Sequence, residues 1–257
     1  MAGYDDFAEI YDAWVQSVPL TKHNQAFYVA EYLKTAGTVV ELGVGNGRIA
    51  LEAVRQGKAV IGVDSSTVML AQCRQRAEAA GMAETVTLIH ADIRDFVLPE
   101  PAELIALPFH TIGHLVTTDD KCRVVRQVFD QLAARGRFLL DHFVFNPARA
   151  RELDRAPRLR AEYTSATTGR DVLLWETSVF DVNEQTMRLF AWTDELEEDG
   201  SLAQRRYRRL TFSWLHTDQM RAIIEEAGFV IEHAYGYYDR RPLKDDSPEQ
   251  VWVARKP

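Results

Sequence analysis

Three glycines, Gly43, Gly45 and Gly47, lie close together in the segment VVELGVGNGRIA, Val39–Ala50. Glycine loses more conformational freedom on folding than any other residue, so this spacing indicates that a ligand comes close to the backbone. The acid that precedes them, Glu41, would repel the pyrophosphate of a dinucleotide. It would suit a ligand that carries an ammonium or sulfonium group.

Two further carboxylates follow apolar segments downstream. Asp64 ends AVIGVD, and a carboxylate there could accept both hydroxyls of a ribose. Asp92 ends VTLIHAD and could accept from the exocyclic amine of a purine, while Ile93 covers the ring face. The pattern E-x-G-x-G-x-G also differs from the dinucleotide fingerprint G-x-G-x-x-G. Together these residues favour S-adenosylmethionine over NAD.

Alternating strands and helices over residues 37–143 predict βα units that form a parallel sheet. In such a sheet the ligand lies beyond the carboxyl ends of the strands, which is where these residues fall. We expect strands at Thr38–Leu42 and in AVIGVD, VTLIHAD, ELIALP and GRFLLDHF, with helices at about Gly47–Gln56, Ser66–Ala80 and Thr118–Ala133.

The pattern changes after the fifth strand. Alternating apolar and polar residues between Tyr163 and Phe212, separated by turn signals, predict an antiparallel meander. The expected fold is α/β and Rossmann-like, with a mostly parallel twisted sheet, helices on both faces and an antiparallel β insertion that forms a lid. We assign residues 1–145 and 211–257 to the cofactor-binding domain and residues 146–210 to the insertion.

The segments VVELGVGNGRIA, VIGVDSSTVML and LIHADIRDF resemble the first three motifs of the class I S-adenosylmethionine-dependent methyltransferases. ELIALPFHTIGHL and QLAARGRFLLDHF resemble the fourth and fifth. By this resemblance the methionine part is held at Glu41 and the glycines, and an N-terminal tyrosine closes over the cofactor. The residues expected to bind the cofactor, S-adenosylmethionine before and S-adenosylhomocysteine after transfer, are Tyr11, Glu41, Gly43, Gly45, Asp64, Ser65, Asp92, Ile93 and Leu107.

Histidines near the strand ends are the candidate proton acceptors for the transfer. His114 and His110 both lie in PFHTIGHL, and they would share a face if that segment were helical. A purely structural role is the alternative for both. The aromatic residues expected to contact the substrate are Trp14, Tyr163, Trp175 and Trp192; they could equally be the buried face of the meander.

The insertion resembles the lid of natural-product N-methyltransferases, of the toxoflavin type that acts on a flat azapteridine and of the amino-sugar type. The implied function is methyl transfer to a small molecule, at a nitrogen of a heteroaromatic or amine intermediate. Amino-sugar or other N- or O-methylation is the alternative. Two hypotheses from other classes are a non-catalytic S-adenosylmethionine-binding protein and an NAD-dependent oxidoreductase.

The amino-acid composition limits which binding partners and which cellular compartment we expect for the protein. The 257 residues are 46% hydrophobic and 26% charged, which is typical of globular proteins. A net charge of -8 gives little support to nucleic-acid binding. The only cysteines, Cys73 and Cys122, have no metal-ligand neighbours, so we expect no metal and no disulfide. With no membrane span or signal peptide evident, we expect a cytoplasmic monomer or homodimer whose partner is a small-molecule substrate.

Overall fold

The computed structural model describes residues 4–257, which form two compact units. One unit consists of Lys22–Phe145 and Trp214–Pro257, and the other of residues 4–21 and Asn146–Ser213. The helices are α1 (Tyr11–Gln16), α2 (Leu20–Lys34), α3 (Ala50–Arg55), α4 (Thr67–Ala79), α5 (Thr118–Gln131), α6 (Pro147–Leu153) and α7 (Thr217–Glu226). The strands are β1 (Val39–Leu42), β2 (Val60–Asp64), β3 (Val86–His90), β4 (Ala102–Leu107), β5 (Leu132–Phe143), β6 (Arg158–Thr164), β7 (Asp171–Asp181), β8 (Thr186–Leu196), β9 (Leu202–Ser213), β10 (Val230–Tyr235) and β11 (Glu249–Arg255).

A seven-stranded sheet in the order β10-β11-β5-β4-β1-β2-β3 forms the centre of the larger unit. Strands β1 to β5 pair in parallel, and β11 runs antiparallel to β5 and β10. In β1, Val40 pairs with Ile61 on one side and with Ile105 on the other. The strand order therefore reverses between β1 and β4, and the crevice at their carboxyl ends is where ligands bind in such sheets. The expected Rossmann-like α/β fold is confirmed.

Apolar strands and amphipathic helices bury the core of this unit. All four residues of β1 are buried, as expected for a central parallel strand. Helices α5 and α7 present apolar stripes to the sheet, where Trp252 of β11 is fully buried. Ser66 caps α4, since its Oγ accepts from the N–H of Met69 at 3.1 Å.

Several boundaries differ from the sequence expectation for local reasons. Helix α3 begins at Ala50 rather than near Gly47, because Gly47 has a φ of 84°, which a right-handed helix excludes. Strand β3 ends at His90, so Asp92 lies beyond it in a turn in which its Oδ1 accepts from the N–H of Arg94. Helix α6 was not predicted; Asn146 caps it and Pro147 occupies its first turn.

The smaller unit contains a four-stranded antiparallel sheet in the order β6-β7-β8-β9. One face carries Leu174, Leu189 and Leu210, which pack against Phe7 and Ile10 of the N-terminal segment. The sequence analysis places this segment in the cofactor-binding domain, whereas in the structure it belongs to the smaller unit, where its apolar side chains are buried. Over residues 4–257, no helix combines the length and apolar character needed to cross a bilayer.

Candidate functional site

The loop after β1 holds its three glycines in the left-handed region, with φ of 68° at Gly43, 55° at Gly45 and 84° at Gly47. A Cβ at Gly43 would lie 2.6 Å from Cγ2 of Thr111, so the loop after β4 packs directly on this glycine. At Gly45, apart from its chain neighbours, no described heavy atom lies within 4 Å of the Cβ position. Gly45 therefore faces open space at the crevice between β1 and β4.

Asp64 joins this loop to the start of α4. Its Oδ2 accepts from the N–H of Gly45 at 2.8 Å, and its Oδ1 accepts from the N–H of Ser66 at 2.8 Å. The carboxylate is therefore fixed in orientation, and it is only half-buried. Ser65, between them, is exposed.

Glu41 is 2% exposed and accepts a hydrogen bond from the Tyr32 hydroxyl at 3.0 Å. Burial raises the pKa of Glu41 to about 8, against the opposing effects of Tyr32 and of the positive charge of Arg48. A buried carboxyl group of this kind favours a cationic partner, which would restore its charged form. This chemistry fits an ammonium group beside the glycine loop.

Asp92 already has a partner that the sequence analysis did not anticipate. Arg94 donates from Nε to Oδ1 at 3.0 Å and from Nη2 to Oδ2 at 2.6 Å, and it also donates to Asp120. The hydrogen bonds from Arg94 lower the pKa of Asp92. Ile93 is half-buried and packs against the core. The adenine-binding roles of Asp92 and Ile93 stay predictions.

Leu107 is fully buried at the end of β4, and its predicted contact with the cofactor stays a prediction. The loop that follows it has unusual backbone geometry. Phe109 and His110 have φ of 57° and 59°, a region that costs a non-glycine residue about 1–3 kcal/mol. Their N–H groups donate to the Asp141 carboxylate of β5, each at 2.9 Å, and Nδ2 of Asn24 donates to it at 3.0 Å. Asp141 is fully buried and holds this strained loop.

His110 is paired with a carboxylate from another strand. Its Nε2 lies 2.7 Å from Oε2 of Glu249 in β11 and 3.8 Å from Oδ1 of Asp141. Burial would lower the pKa of His110, but the negative charges of Glu249 and Asp141 outweigh it and raise that pKa. The ring stacks on that of His142 at 5.5 Å. The carboxylates therefore favour the protonated form of His110.

His114 has the opposite electrostatic environment. Burial, with a smaller contribution from the charge of His110, lowers the pKa of His114 to about 3. The condition for the two histidines to share a helix face is not met, because only Thr111–His114 forms a 3-10 turn and His110 precedes it in the left-handed region. His110 is therefore the stronger base of the two candidates, and the catalytic role of either histidine stays a prediction.

The remaining predicted site residues belong to the smaller unit. Trp14 donates from Nε1 to Oε2 of Glu176 at 3.0 Å, and both Trp14 and Tyr163 pack on the face that holds Phe7. Trp175 and Trp192 pair across β7 and β8 and stack at 6.1 Å. Because side chains alternate along a strand, these two lie on the opposite face. The four aromatic candidates therefore do not form a single surface, and their substrate contacts stay predictions.

Tyr11 opens α1, is half-buried and lies 6.2 Å from the ring of Tyr4. Its proposed contact with the cofactor is a prediction too. The residues that sequence reasoning missed are Asp141 and Glu249. Asp141 carried a usable signal, because an acid inside the apolar run FLLDHF must find donors when it is buried. Glu249 carried none, because its partner His110 is 139 positions away.

Part of the chain matches a known family model. Residues 39–136 match the family model described as a methyltransferase domain. An uncharacterized methyltransferase of Bacillus cytotoxicus is 24% identical over 147 residues, 55% of this chain and 66% of that protein. A carboxy-S-adenosyl-L-methionine synthase of Aliivibrio salmonicida is 30% identical over 127 residues, 48% of this chain and 51% of that protein. The chain thus spans about half to two thirds of the length of these relatives.

Solved structures share the fold over nearly the whole chain. The CcbJ methyltransferase from Streptomyces caelestis superposes with a TM-score of 0.81 at 24% identity, over 97% of this chain and 96% of that one. CalS10, an amino pentose methyltransferase from Micromonospora echinaspora involved in calicheamicin biosynthesis, gives 0.70 at 18% identity, over 96% and 97%. Residues 39–136 therefore form a methyltransferase domain, and the fold of the chain is that of the class I methyltransferases.

Proposed function

We propose that the protein transfers the methyl group of S-adenosylmethionine to a small molecule, at a nitrogen of a heteroaromatic or amine compound. The observation that carries this proposal is the link between Asp64 and Gly45, at 2.8 Å, beside the open space that Gly45 faces. A fixed carboxylate next to an accessible backbone suits a ribose with a short chain attached.

The residues of the site fit each part of that cofactor. Asp64 would accept the ribose hydroxyls, and Gly43 and Gly45 would let the methionine part approach the backbone. Glu41, whose burial disfavours its charged form, would take the ammonium group. When bound, S-adenosylmethionine supplies a methyl group that is already electrophilic. The protein then has to align the acceptor, exclude water and remove one proton.

His110 is the group that we assign to remove that proton. It lies in the loop after β4, which packs on Gly43 through Thr111. The charges of Glu249 and Asp141 raise the pKa of His110 and make it the stronger base, whereas the pKa of about 3 makes His114 a weak base. We assign His114 a neutral hydrogen-bonding role instead.

The proposed substrate class is supported by the aromatic residues of the smaller unit and by the similar structures. Segment Asn146–Ser213 of the smaller unit forms an antiparallel sheet that carries several aromatic side chains. Among the similar structures, CalS10 is an amino pentose methyltransferase. An amino sugar and a flat azapteridine of the toxoflavin type both present a nitrogen whose lone pair can attack a methyl group. We therefore propose an amine or ring nitrogen as the methyl acceptor, with an oxygen of the small molecule as the alternative.

Titration calorimetry with S-adenosylhomocysteine tests the cofactor assignment. Asp64→Ala should weaken binding at least about tenfold, because it removes both a ligand acceptor and the anchor of Gly45. Asp95→Ala is the matched control, since Asp95 is an exposed aspartate whose partner is Arg123. Unchanged affinity in Asp64→Ala would refute the assignment. Tighter binding of NADH than of S-adenosylhomocysteine would refute it as well.

Mass spectrometry of reactions with S-adenosylmethionine then identifies the acceptor. Amino sugars and heteroaromatic amines form the panel, and an acceptor should gain one methyl group in step with the formation of S-adenosylhomocysteine. O-methylated products in place of N-methylated ones would refute the nitrogen assignment. Tight cofactor binding with no methylation across a broad panel would favour a non-catalytic binding protein.

A further inference from the structure

The pair formed by His110 and Glu249 lies outside the predicted cofactor-binding residues. The Nε2–Oε2 distance is 2.7 Å, the Glu249 side chain is 5% exposed and that of His110 is 19% exposed. A carboxylate can only accept a hydrogen bond, so Nε2 carries a proton. The neutral imidazole is therefore held as the Nε2–H tautomer, and its lone pair is on Nδ1.

The backbone of His110 is fixed as firmly as its ring. Asp141 accepts the N–H groups of Phe109 and His110, and β11, which begins at Glu249, pairs with β5, which carries Asp141. Three adjacent strands, β4, β5 and β11, thus set the position of one imidazole. Such support is typical of groups that must keep a fixed orientation during a reaction.

We propose that Glu249 is a positioning residue that, through Nε2 of His110, makes Nδ1 of His110 the acceptor of the proton released by the methylated nitrogen. This inference rests on the proposed function, which supplies the reaction but assigns no role to Glu249. It resembles in logic the carboxylate that orients the histidine of a hydrolase triad.

The proton and electron balance of the step is simple. The nitrogen lone pair forms the new bond to the methyl carbon, and the carbon–sulfur bond breaks with its electron pair going to sulfur. The N–H bond of the acceptor breaks, its electron pair stays on nitrogen, and the proton goes to Nδ1 of His110. The resulting imidazolium is neutralised by Glu249 and loses its proton to water in a later step.

The charges around His110 support this role. Burial alone would keep the ring neutral and weakly basic, and the carboxylates oppose that effect. The titratable and charged groups around it are Glu249 on β11, Asp141 and His142 on β5, His114 in the same loop and Arg48, whose guanidinium lies 4.7 Å from the Phe109 ring.

A divalent cation is the competing interpretation of the same cluster. Ligand atoms of His110, Asp141 and Glu249 lie within 4.8 Å of one another. However, Asp141 already accepts three N–H groups, from Asn24, Phe109 and His110. A metal would have to compete with those hydrogen bonds, so we favour the hydrogen-bonded pair.

The test is an NMR titration of the protein labelled with ¹⁵N-histidine, with and without S-adenosylhomocysteine. His110→Asn assigns the His110 signals. In the wild type, neutral His110 should be the Nε2–H tautomer. Glu249→Gln should lower the His110 pKa and shift the tautomer population, because an amide can donate as well as accept. Glu249→Asp keeps the charge and should restore part of both. Glu232→Gln, on the neighbouring strand β10 and paired with Arg255, is the matched control and should change neither.

An Nδ1–H tautomer in the wild type would overturn the proposal, even if every Glu249 variant failed to fold. An unchanged His110 pKa and tautomer in Glu249→Gln would overturn it too. The same holds for a His110 signal that shifts on adding Zn²⁺ and returns to its original position when a chelator is added. Once an acceptor is known, Glu249→Gln should move the acid limb of the pH profile of kcat to lower pH. It should also lower the plateau of that profile by about tenfold, whereas removal of a general base lowers the rate by about 100-fold. Failure of S-adenosylhomocysteine to bind would refute the proposed function and leave the His110 titration to be read independently.

Discussion

The carboxylate of Asp141 accepts the backbone N–H of His110 at 2.9 Å, and His110 has a φ of 59°. A buried acid from β5 therefore stabilises a backbone conformation that a non-glycine residue rarely adopts. Phe109 shares the arrangement, with a φ of 57° and a hydrogen bond of 2.9 Å to the same carboxylate. The strained loop sits against Gly43, so its shape and that of the glycine loop are linked.

Replacing Asp141 by Asn should release this loop. The amide keeps the volume but has one acceptor oxygen for three donors, so a buried N–H loses its partner. We expect a loss of about 2 kcal/mol or more in the free energy of unfolding, measured by urea denaturation. Asp130→Asn, at an exposed position of α5, is the control and should change it by less than about 0.5 kcal/mol. Equal stability of the two variants would show that Asp141 does not hold the loop.

Gly45 and Gly81 offer a matched test of the cofactor cradle. Both have positive φ, 55° and 67°, and neither has a described heavy atom within 4 Å of its Cβ position, chain neighbours aside. Alanine should cost about 1–2 kcal/mol of strain at either position. Only Gly45→Ala should also weaken S-adenosylhomocysteine binding, by about tenfold or more, because its methyl group would occupy ligand space. Equal affinity of the two variants in calorimetry would move the cofactor away from Gly45.

The sheet and the glycine loop could be predicted because their signals are local. The apolar run of β1 ends at Leu42 and is followed directly by glycine, and that of β2 ends at Asp64 and is followed by the serine cap of α4. Each motif therefore indicates a strand, a turn and a helix within a few residues. The antiparallel insertion was predicted for the same reason. The neighbours of the N-terminal segment could not be predicted, because a sequence pattern shows which face of a helix is apolar but not what covers that face.

The electrostatics of the loop after β4 could not be predicted. His110 and His114 look equivalent in the sequence, and the structure separates them through Glu249, which is far away along the chain. Asp92 shows the converse case. Its partner Arg94 is two residues away, and that short spacing could have indicated an ion pair before a ligand role.

Glu41 should make stability depend on pH. Its pKa is about 8 in the folded protein against an ordinary value of 4.5, so the folded state binds more protons between these values. The contribution is therefore present below about pH 4.5 and is lost as pH rises towards 8, by at most about 1.4 kcal/mol per pH unit. Glu41→Gln stays neutral and should lack this decline in urea denaturation at pH 5.5 to 7.5.

The exposed Glu226→Gln, on α7, is the control for that series and should keep the wild-type decline. S-adenosylhomocysteine affinity supplies a second readout. If an ammonium group binds beside Glu41, binding must release the Glu41 proton, so wild-type affinity should rise from pH 6 to 8 and that of Glu41→Gln should not. Parallel pH dependence of stability in wild type and Glu41→Gln would contradict the buried protonated carboxyl.

Arg208 should hold the N-terminal segment on the antiparallel sheet. Its side chain is 1% exposed and donates to the carbonyl oxygen of Asp6 at 2.7 Å, to Glu9 at 2.6 Å and to Thr193 at 3.1 Å. Arg208→Met keeps much of the side-chain volume but removes these donors. A hydrogen bond that involves a charged group contributes about 1.5–3 kcal/mol to stability. Limited proteolysis should then cleave the segment before α2 faster than in the wild type. Arg209→Met is the control, because Arg209 is exposed and points to the other face of β9. Equal cleavage rates in both variants would show that Phe7 and Ile10 alone retain the segment.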